Sequence, residues 1–153
     1  MYYLRVLALF VVAALLTGCA ASGPLFQPAP PPDSGKALVY IYRPDGFMLG
    51  GRDAHIYVDN KNVVNLSAAG YTHFQVDPGS HIIKQKWPLD LMTFDTLELP
   101  LEASAGETYY YRFFSGSGDT CTSGNICFKW TLQRVTESAA NDEISKCHYQ
   151  AAK

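Results

Sequence analysis

From residue 36 onward, the chain repeats short runs of aromatic, β-branched and aliphatic residues, each followed by glycine, proline, asparagine, aspartate or serine. Runs of this length with such boundaries are typical of β-strands. The predicted strands are residues 36–43, 53–59, 63–66, 71–77, 80–87, 97–101, 107–115 and 128–135. Eight strands at this spacing predict a β-sandwich or a small barrel around one core.

Two segments stand out from the other runs. KALVYIYR (36–43) is apolar on both faces, which favours a central strand. Only residues 137–147 have the composition of a helix, which we expect to be short and to follow the last strand. The domain is therefore predicted to span residues 36–150.

Composition agrees with a β-rich core and limits the classes of partner. Ten Tyr, eight Phe and two Trp are residues that suit pleated, half-buried strands. The net charge is -2, without a basic run, so the chain offers little attraction to a phosphate backbone. No nucleic acid is expected as a partner.

The first 18 residues are predicted to be a lipoprotein signal peptide. Residues 6–16 are all apolar, and eleven residues are too few for a membrane-spanning helix, which needs about 20. The following Leu16-Thr17-Gly18-Cys19 resembles the lipobox of bacterial lipoproteins, which implies cleavage before Cys19 and lipidation of its thiol. The alternative is a buried N-terminal helix whose cysteine is incidental.

Lipidation of Cys19 would make the membrane a partner through acyl chains, each buried CH₂ of which contributes about 0.8 kcal/mol. Resemblance to Gram-negative lipoproteins extends to Ala20, which is not the aspartate of inner-membrane proteins. The resemblance implies a cell-envelope protein on the periplasmic face of the outer membrane.

Residues 19–35 are predicted to be the lipidated cysteine and a proline-rich tether. Five of the nine prolines lie here, and proline fixes φ and lacks an N–H, so we expect an extended chain without helix or ladder. The sixteen residues 20–35, at about 3.1 Å each, would hold the domain up to roughly 50 Å from the bilayer. The alternative is a proline-rich ligand for a partner protein.

Pro78-Gly79 predicts a tight turn, because Pro presets φ and Gly accepts a positive φ. The turn is expected to join residues 71–77 and 80–87 as a two-residue hairpin. In that register His73 and His81 lie on opposite faces of the sheet, which excludes a shared ligand site. His81 is expected at the core edge and His73 in solvent.

The segments ALVYIYRP (37–44), IYVDNKNV (56–63), GYTHFQVDPGSH (70–81) and GETYYYRF (106–113) resemble a family of uncharacterised bacterial lipoproteins with a domain of unknown function. That family has a YIYRP-like opening strand, a VDG-like turn and a PGxH hairpin, and its middle portion resembles PEGA-type β-domains. The resemblance implies an immunoglobulin-like or related β-sandwich of about seven to eight strands, with no known reaction. Asn60 replaces the usual glycine of the turn and also tolerates a positive φ.

Three cysteines remain after Cys19. An oxidising envelope favours a disulfide between Cys121 and Cys127, which enclose a short polar loop. The alternative is a bond from Cys147 to either of them. These cysteines with His148 lack the paired CxxC spacing of zinc sites, so no metal is predicted.

The aromatic run at 107–115 is expected to place Tyr109, Tyr111 and Phe113 on one face, with Tyr110 and Phe114 on the other. One face packs in the core. Exposed tyrosines on a sheet, with Tyr57 and Tyr110 as the predicted ligand-binding residues, would suit a glycan or small ligand.

Arg43 and Arg112 are expected to pair with strand carboxylates. No catalytic residue and no cofactor are predicted, because no serine or cysteine has a base and an orienting acid at a recognisable spacing. The leading hypothesis is a lipid-anchored, non-enzymatic β-sandwich that binds or supports another envelope component. The second hypothesis is recognition of a glycan or small ligand, and the third is a hydrolase or thiol enzyme.

Overall fold

The computed structural model describes residues 20–46, 51–88, 96–117 and 128–153. Its strands are β1 (Ala37–Arg43), β2 (Ala54–Val58), β3 (Lys61–Leu66), β4 (Gly70–Val76), β5 (Gly79–Lys86), β6 (Leu97–Ala103), β7 (Thr108–Ser117), β8 (Phe128–Val135) and β9 (His148–Tyr149). The helix of the described residues is α1 (Glu137–Ile144). Each predicted strand agrees with an observed one to within a few residues at either end.

The strands form two sheets. The five-stranded sheet has the order β8-β7-β1-β4-β9, and the four-stranded sheet has the order β3-β2-β5-β6. In the first sheet β1 pairs antiparallel with β4 and parallel with β7. All pairs of the second sheet are antiparallel. The predicted all-β sandwich with a short C-terminal helix is confirmed.

The main core lies between the two sheets and follows the two-residue period of the strands. All seven residues of β1 are buried, which confirms that it is a central strand. Its alternate residues Val39 and Ile41 face the second sheet, where Ile56 and Ile83 are fully buried. On β7 the inward positions are Tyr109, Tyr111 and Phe113, as the alternation predicts.

The predicted hairpin of β4 and β5 is wrong. Strand β4 pairs with β1 and β9, whereas β5 pairs with β2 and β6, so Pro78-Gly79 joins the two sheets instead of closing a hairpin. Gly79 adopts a φ of +132°, in keeping with the turn chemistry. A turn signal fixes a change of direction but not the partner of the next strand.

The hairpin of β2 and β3 turns through Asp59 and Asn60, whose φ values are +48° and +70°. The expectation that Asn60 tolerates a positive φ is confirmed.

Towards the C-terminal end of the sequence, α1 stops at Ile144 instead of residue 147. The chain then adds β9 to the edge of the five-stranded sheet beside β4. Across the described ranges, no helix has the length and apolar character needed to traverse a membrane.

Candidate functional site

A second apolar cluster covers the outer face of the five-stranded sheet. The strand positions that alternate with the core positions carry Leu38, Tyr40 and Tyr42 on β1, Tyr71 on β4 and Tyr110 on β7. Ala140 and Ile144 of α1 and the adjacent Cys147 pack on them from outside, and we call this set the tyrosine cluster. The outer face of this sheet is therefore an interior, not a free surface.

Residues 20–35, the N-terminal segment, cover the rest of this face. Phe26 packs edge-on against Tyr40 and Tyr71, with ring centroids 5.9 and 5.1 Å apart. The Ala29 N–H donates to the Tyr40 hydroxyl (2.7 Å), and the Gln27 N–H donates to the Tyr71 hydroxyl (3.2 Å). The tyrosine hydroxyls thus receive backbone donors that a proline-rich chain still possesses.

The same segment also bonds to the strand edge formed by β9. The Phe26 N–H donates to the carbonyl of Cys147 (3.0 Å), and the Tyr149 N–H donates to the carbonyl of Pro24 (2.8 Å). His148 Nδ1 lies 2.6 Å from the carbonyl of Gly23 and must carry the proton, because a carbonyl only accepts. A Cβ at Gly23 would lie 2.1 Å from the Tyr149 carbonyl oxygen, so glycine is required here.

The start of the N-terminal segment and the residues after the helix meet at the β3–β4 connection. The Ala21 N–H donates to the carbonyl of Ala68 (3.1 Å), and Ala20 forms an isolated parallel bridge with Ala68. From the C-terminal side, Gln150 accepts from the Ser67 N–H (2.9 Å). The neighbouring Ala69 has a φ of +52°, a strained conformation that these contacts hold in place.

The free-tether interpretation of residues 19–35 is therefore wrong for residues 20–35. The segment is extended, as its prolines predict, but it lies along the sheet and forms bridges at Ala20 and Leu25. At its far side, the Asp33 N–H donates to the side chain of Gln75 (3.0 Å). The prolines occupy positions between those donors, where a missing N–H costs nothing.

Tyr110, predicted to be an exposed ligand-binding residue, is only 8% exposed. Its ring stacks on that of Tyr40 with centroids 5.0 Å apart and planes within 3°. Burial and the nearby Glu137 raise the pKa of Tyr110 to about 12, so its hydroxyl stays protonated. The expected exposure of Tyr110 is wrong, because α1 and the N-terminal segment cover its face of the sheet.

Tyr57 lies in the other sheet and is half-buried. It stands opposite Lys84 of β5, and the Lys86 ammonium lies 5.4 Å from its ring centroid. It shares the outward side of this sheet with Ile82, which is 44% exposed. We call this side, with Tyr57, Ile82 and Lys84, the open face, since none of the described elements packs on it. Ligand binding at Tyr57 stays a prediction.

His73 and His81 lie in separate surroundings. His73 packs against the rings of Tyr40 and Tyr149, and this burial lowers its pKa, so the expectation of a solvated side chain is wrong. His81 contacts the Asp59 carboxylate through Nδ1 (2.6 Å) and the Asp77 carbonyl through Nε2 (2.7 Å). Both partners are acceptors and favour the doubly protonated ring, which raises the pKa of His81.

Cys147 is a free, buried thiol, so its predicted alternative pairing with Cys121 or Cys127 is wrong. Burial and the neighbouring Glu143 raise its pKa to about 12, which keeps it protonated and a poor nucleophile. The predicted Cys121–Cys127 disulfide lies outside the described residues, as does Cys19. Among the residues with described positions, no three His, Cys, Asp or Glu side chains group as a metal site.

The expected pairing of Arg112 with a strand carboxylate is wrong, because its partner lies on the helix, whereas the expected pairing of Arg43 stays a prediction. Arg112 pairs with Glu143 of α1 (2.7 Å), and the same carboxylate accepts from the Tyr42 hydroxyl (2.8 Å). Arg43 is 3% exposed and donates to the carbonyls of Arg52 (2.6 Å) and Leu66 (3.3 Å). Sequence reasoning missed this buried role, although Arg43 is in phase with the inward positions of β1.

Aromatic rings surround the Arg43 guanidinium. Its Cζ lies 6.0 Å from the Trp87 centroid and 5.8 Å from those of Phe113 and Trp130. Phe113 and Trp130 stack on each other at 5.3 Å. The positive charge is thus held against π faces and carbonyl oxygens, a structural arrangement at the end of the core.

Two of the pockets among the described residues lie beside the N-terminal segment and beside the contact of β3 with β4. One, of about 220 Å³, lies between the N-terminal segment and the aromatic side chains of Tyr71, His73 and Tyr149. The other, of about 390 Å³, lies where β3 meets β4 and includes His81 and Lys153. Only the second reaches the usual size range of small-ligand sites.

The sequence profile of the family described as "protein of unknown function (DUF2846)" matches residues 33–125, more than half of the chain. This span contains β1 to β7 and leaves out most of the N-terminal segment and α1. The predicted resemblance to a family of unknown function is confirmed at that level. None of the curated proteins matches the chain.

Proposed function

The chain belongs to the DUF2846 family of proteins of unknown function, and from this premise we propose that it is a lipid-anchored protein of the cell envelope. Its β-sandwich binds or supports another envelope component and catalyses no reaction. The observation that carries the proposal is Leu16-Thr17-Gly18-Cys19 directly after eleven apolar residues. The acyl chains on Cys19 supply membrane affinity, and the sandwich supplies the binding surface.

The contacts of the reactive side chains support a binding role. The Cys147 thiol is buried, and its pKa is raised to about 12. His148 bonds to a backbone carbonyl of the N-terminal segment, and His81 joins the β2–β3 turn to β5. Each of these groups is engaged in holding the fold together, whereas a nucleophile or base needs a lone pair directed at substrate.

The open face is the surface we propose for the partner. The outer face of the five-stranded sheet is filled by α1 and the N-terminal segment, whereas the open face keeps Ile82 at 44% exposure beside a half-buried tyrosine. An apolar side chain and an aromatic ring are typical of the central part of a protein interface, and the lysines beside them suit its polar rim.

The test is in-cell photocrosslinking of the full-length protein with a photoreactive residue replacing Tyr57. The matched control carries the probe at Asp142, on the exposed side of α1. We expect one reproducible protein adduct from position 57 and none from position 142. An adduct from position 142 alone would contradict the open face as the interface. With confirmed expression, no protein adduct at either position would favour the alternative of glycan or small-ligand recognition.

A further inference from the structure

We infer that the docked N-terminal segment holds one particular end of the sandwich directly against the lipid headgroups. This inference rests on the lipid anchor proposed above and adds the orientation of the domain. A free proline-rich tether would instead let the domain hang away from the bilayer with its other end nearest the anchor.

The strands define two ends of the sandwich. At one end β1 finishes and β4 begins, because Arg43 pairs with Gly70. Strand β3 finishes at this end too, since the Arg43 guanidinium donates to the carbonyl of Leu66. We call this the anchor end. The far end is where β1 begins, with Ala37 paired to Val76.

The N-terminal segment starts at the anchor end. Ala20 bridges Ala68, two residues before β4, and Ala21 is 8% exposed in contact with the same connection. Consecutive Cα atoms are about 3.8 Å apart, so Cys19 cannot lie farther than that from Ala20. The proposed lipid would therefore be attached one residue before Ala20, whose backbone is bridged to the anchor end.

The segment then runs to the far end under continuous restraint. Its contacts pass from His148, opposite Gly70, to the Tyr71 and Tyr40 hydroxyls and on to Gln75. Strand β1 begins only after this run and returns to the anchor end. Release of a contact farther along the segment leaves the bonds of Ala20 and Ala21 in place, so Cys19 gains slack only when residues 20–23 themselves leave the sheet.

Small and polar groups surround the attachment point. Ser67 and Gln150 bond to each other (3.0 Å), and Ser22 and Lys146 are exposed nearby. Such a surface is suited to contact with hydrated headgroups and requires no insertion into the hydrocarbon. The occupant we assign to the anchor end is thus the headgroup layer of the bilayer that holds the acyl chains.

The orientation is tested on the full-length, lipidated protein in liposomes that contain nitroxide-labelled headgroups, which quench fluorescence only at short range. A fluorescent residue replaces Lys146 near the anchor end or Ala105 at the far end; both positions are exposed. We expect quenching at position 146 to be several-fold that at position 105. Equal quenching, or stronger quenching at 105, would overturn the inference.

Gly23→Ala provides the variant that lifts the start of the segment, because its Cβ would collide with the Tyr149 carbonyl oxygen. The matched control is Ser22→Ala, one residue away and exposed. Gly23→Ala should reduce the difference in quenching between positions 146 and 105, whereas Ser22→Ala should leave that difference unchanged. This comparison applies to a Gly23→Ala protein that folds and retains its lipid. If its difference in quenching between positions 146 and 105 then equals that of the parent, the docked segment does not orient the domain. If the variant fails to fold, the comparison of the two probes in the parent protein still decides.

Flotation of the same liposomes tests the lipid anchor separately from the orientation of the domain. If the protein does not float with the lipid, the proposed lipid anchor fails and this inference fails with it. If the protein floats and both probes are quenched equally, the anchor stands and only the orientation is wrong.

Discussion

The guanidinium of Arg43 completes the core at the anchor end. It lies in the same phase of β1 as Val39 and Ile41, and its neighbours are aromatic rings and backbone carbonyls. Its donors satisfy the carbonyl of Leu66 in β3 and that of Arg52, two residues before β2. The side chain therefore ties the two sheets together where the strands stop.

Arg43→Ala should lower the free energy of unfolding by about 2–4 kcal/mol, because it leaves a cavity among the rings and removes donors from two carbonyls. The control is Arg134→Ala, whose side chain is exposed over Tyr109 and whose loss should cost about 0.5–1 kcal/mol. Chemical denaturation of both variants measures the difference. Equal losses would mean that the burial of Arg43 contributes nothing.

His81 and His73 should give opposite pH dependences. Folding raises the pKa of His81 above its usual 6.5 through Asp59 and Asp77. Its stabilising contribution is then complete below that usual value and is lost as the pH rises through the folded-state pKa. Burial lowers the pKa of His73, so its protonation opposes folding at low pH.

We therefore expect His81→Asn to destabilise the protein more at about pH 5.5 than at about pH 8.5. His73→Asn, the matched control, should show the smaller effect at the lower pH. Denaturation curves of the two variants and the parent at both pH values provide the measurement. Parallel pH profiles for the two variants would contradict the assigned partners of the rings.

At the scale of elements, the N-terminal segment acts as an outer layer of the five-stranded sheet. Phe26 inserts between two tyrosines, while the neighbouring Leu25 is 55% exposed. From residue 22 to residue 35 the partly buried positions recur every third residue, at 23, 26, 29 and 32, which is the period of a polyproline II chain docked on one side. The two adjacent side chains therefore provide a matched pair.

Phe26→Ser should cost about 1–2 kcal/mol in unfolding free energy, because a half-buried ring and two edge-to-face contacts are lost. Leu25→Ser, one residue away, should change the stability by less than about 0.5 kcal/mol. Thermal or chemical unfolding of the mature chain measures both. If Phe26→Ser and Leu25→Ser both lowered the unfolding free energy by the same small amount, the segment would not be docked in solution.

Strand positions were predictable because they depend on local residue period, as in β1 and β7. The partners of β4 and β5 were not, because Pro78-Gly79 specifies a turn while pairing depends on distant strands. The docking of the N-terminal segment could not be predicted either, because its proline content predicts an extended chain but not the residues that the chain contacts. Phe26 within that segment was the available signal.

For the candidate site, the alternation of Tyr109 and Tyr110 was predicted correctly, but the exposure of the second face was not. Sheet faces become interior when another element covers them, and here α1 and the N-terminal segment both do so. The phase of Arg43 on β1 was also readable, yet a terminal arginine next to a turn usually extends into solvent. Its burial follows from rings on three other strands or connections.

On the scale of the whole molecule, the start of the N-terminal segment and residues 148–150 converge on residues 67–69 between β3 and β4. Ala68 receives the N-terminal segment, and Ser67 and Ala69 receive the chain that follows α1. A lipid on Cys19 would therefore act at a rigid point of the domain. Movement of the sandwich relative to the membrane would be limited by this attachment.

The proposed lipidation of Cys19 is tested most directly by metabolic labelling with a palmitate analogue, followed by membrane fractionation. We predict that the parent protein is labelled and sediments with membranes, that Cys19→Ser is unlabelled and soluble, and that the control Cys147→Ala behaves as the parent. A Cys19→Ser protein that remains labelled and membrane-bound, or an unlabelled parent, would contradict the account.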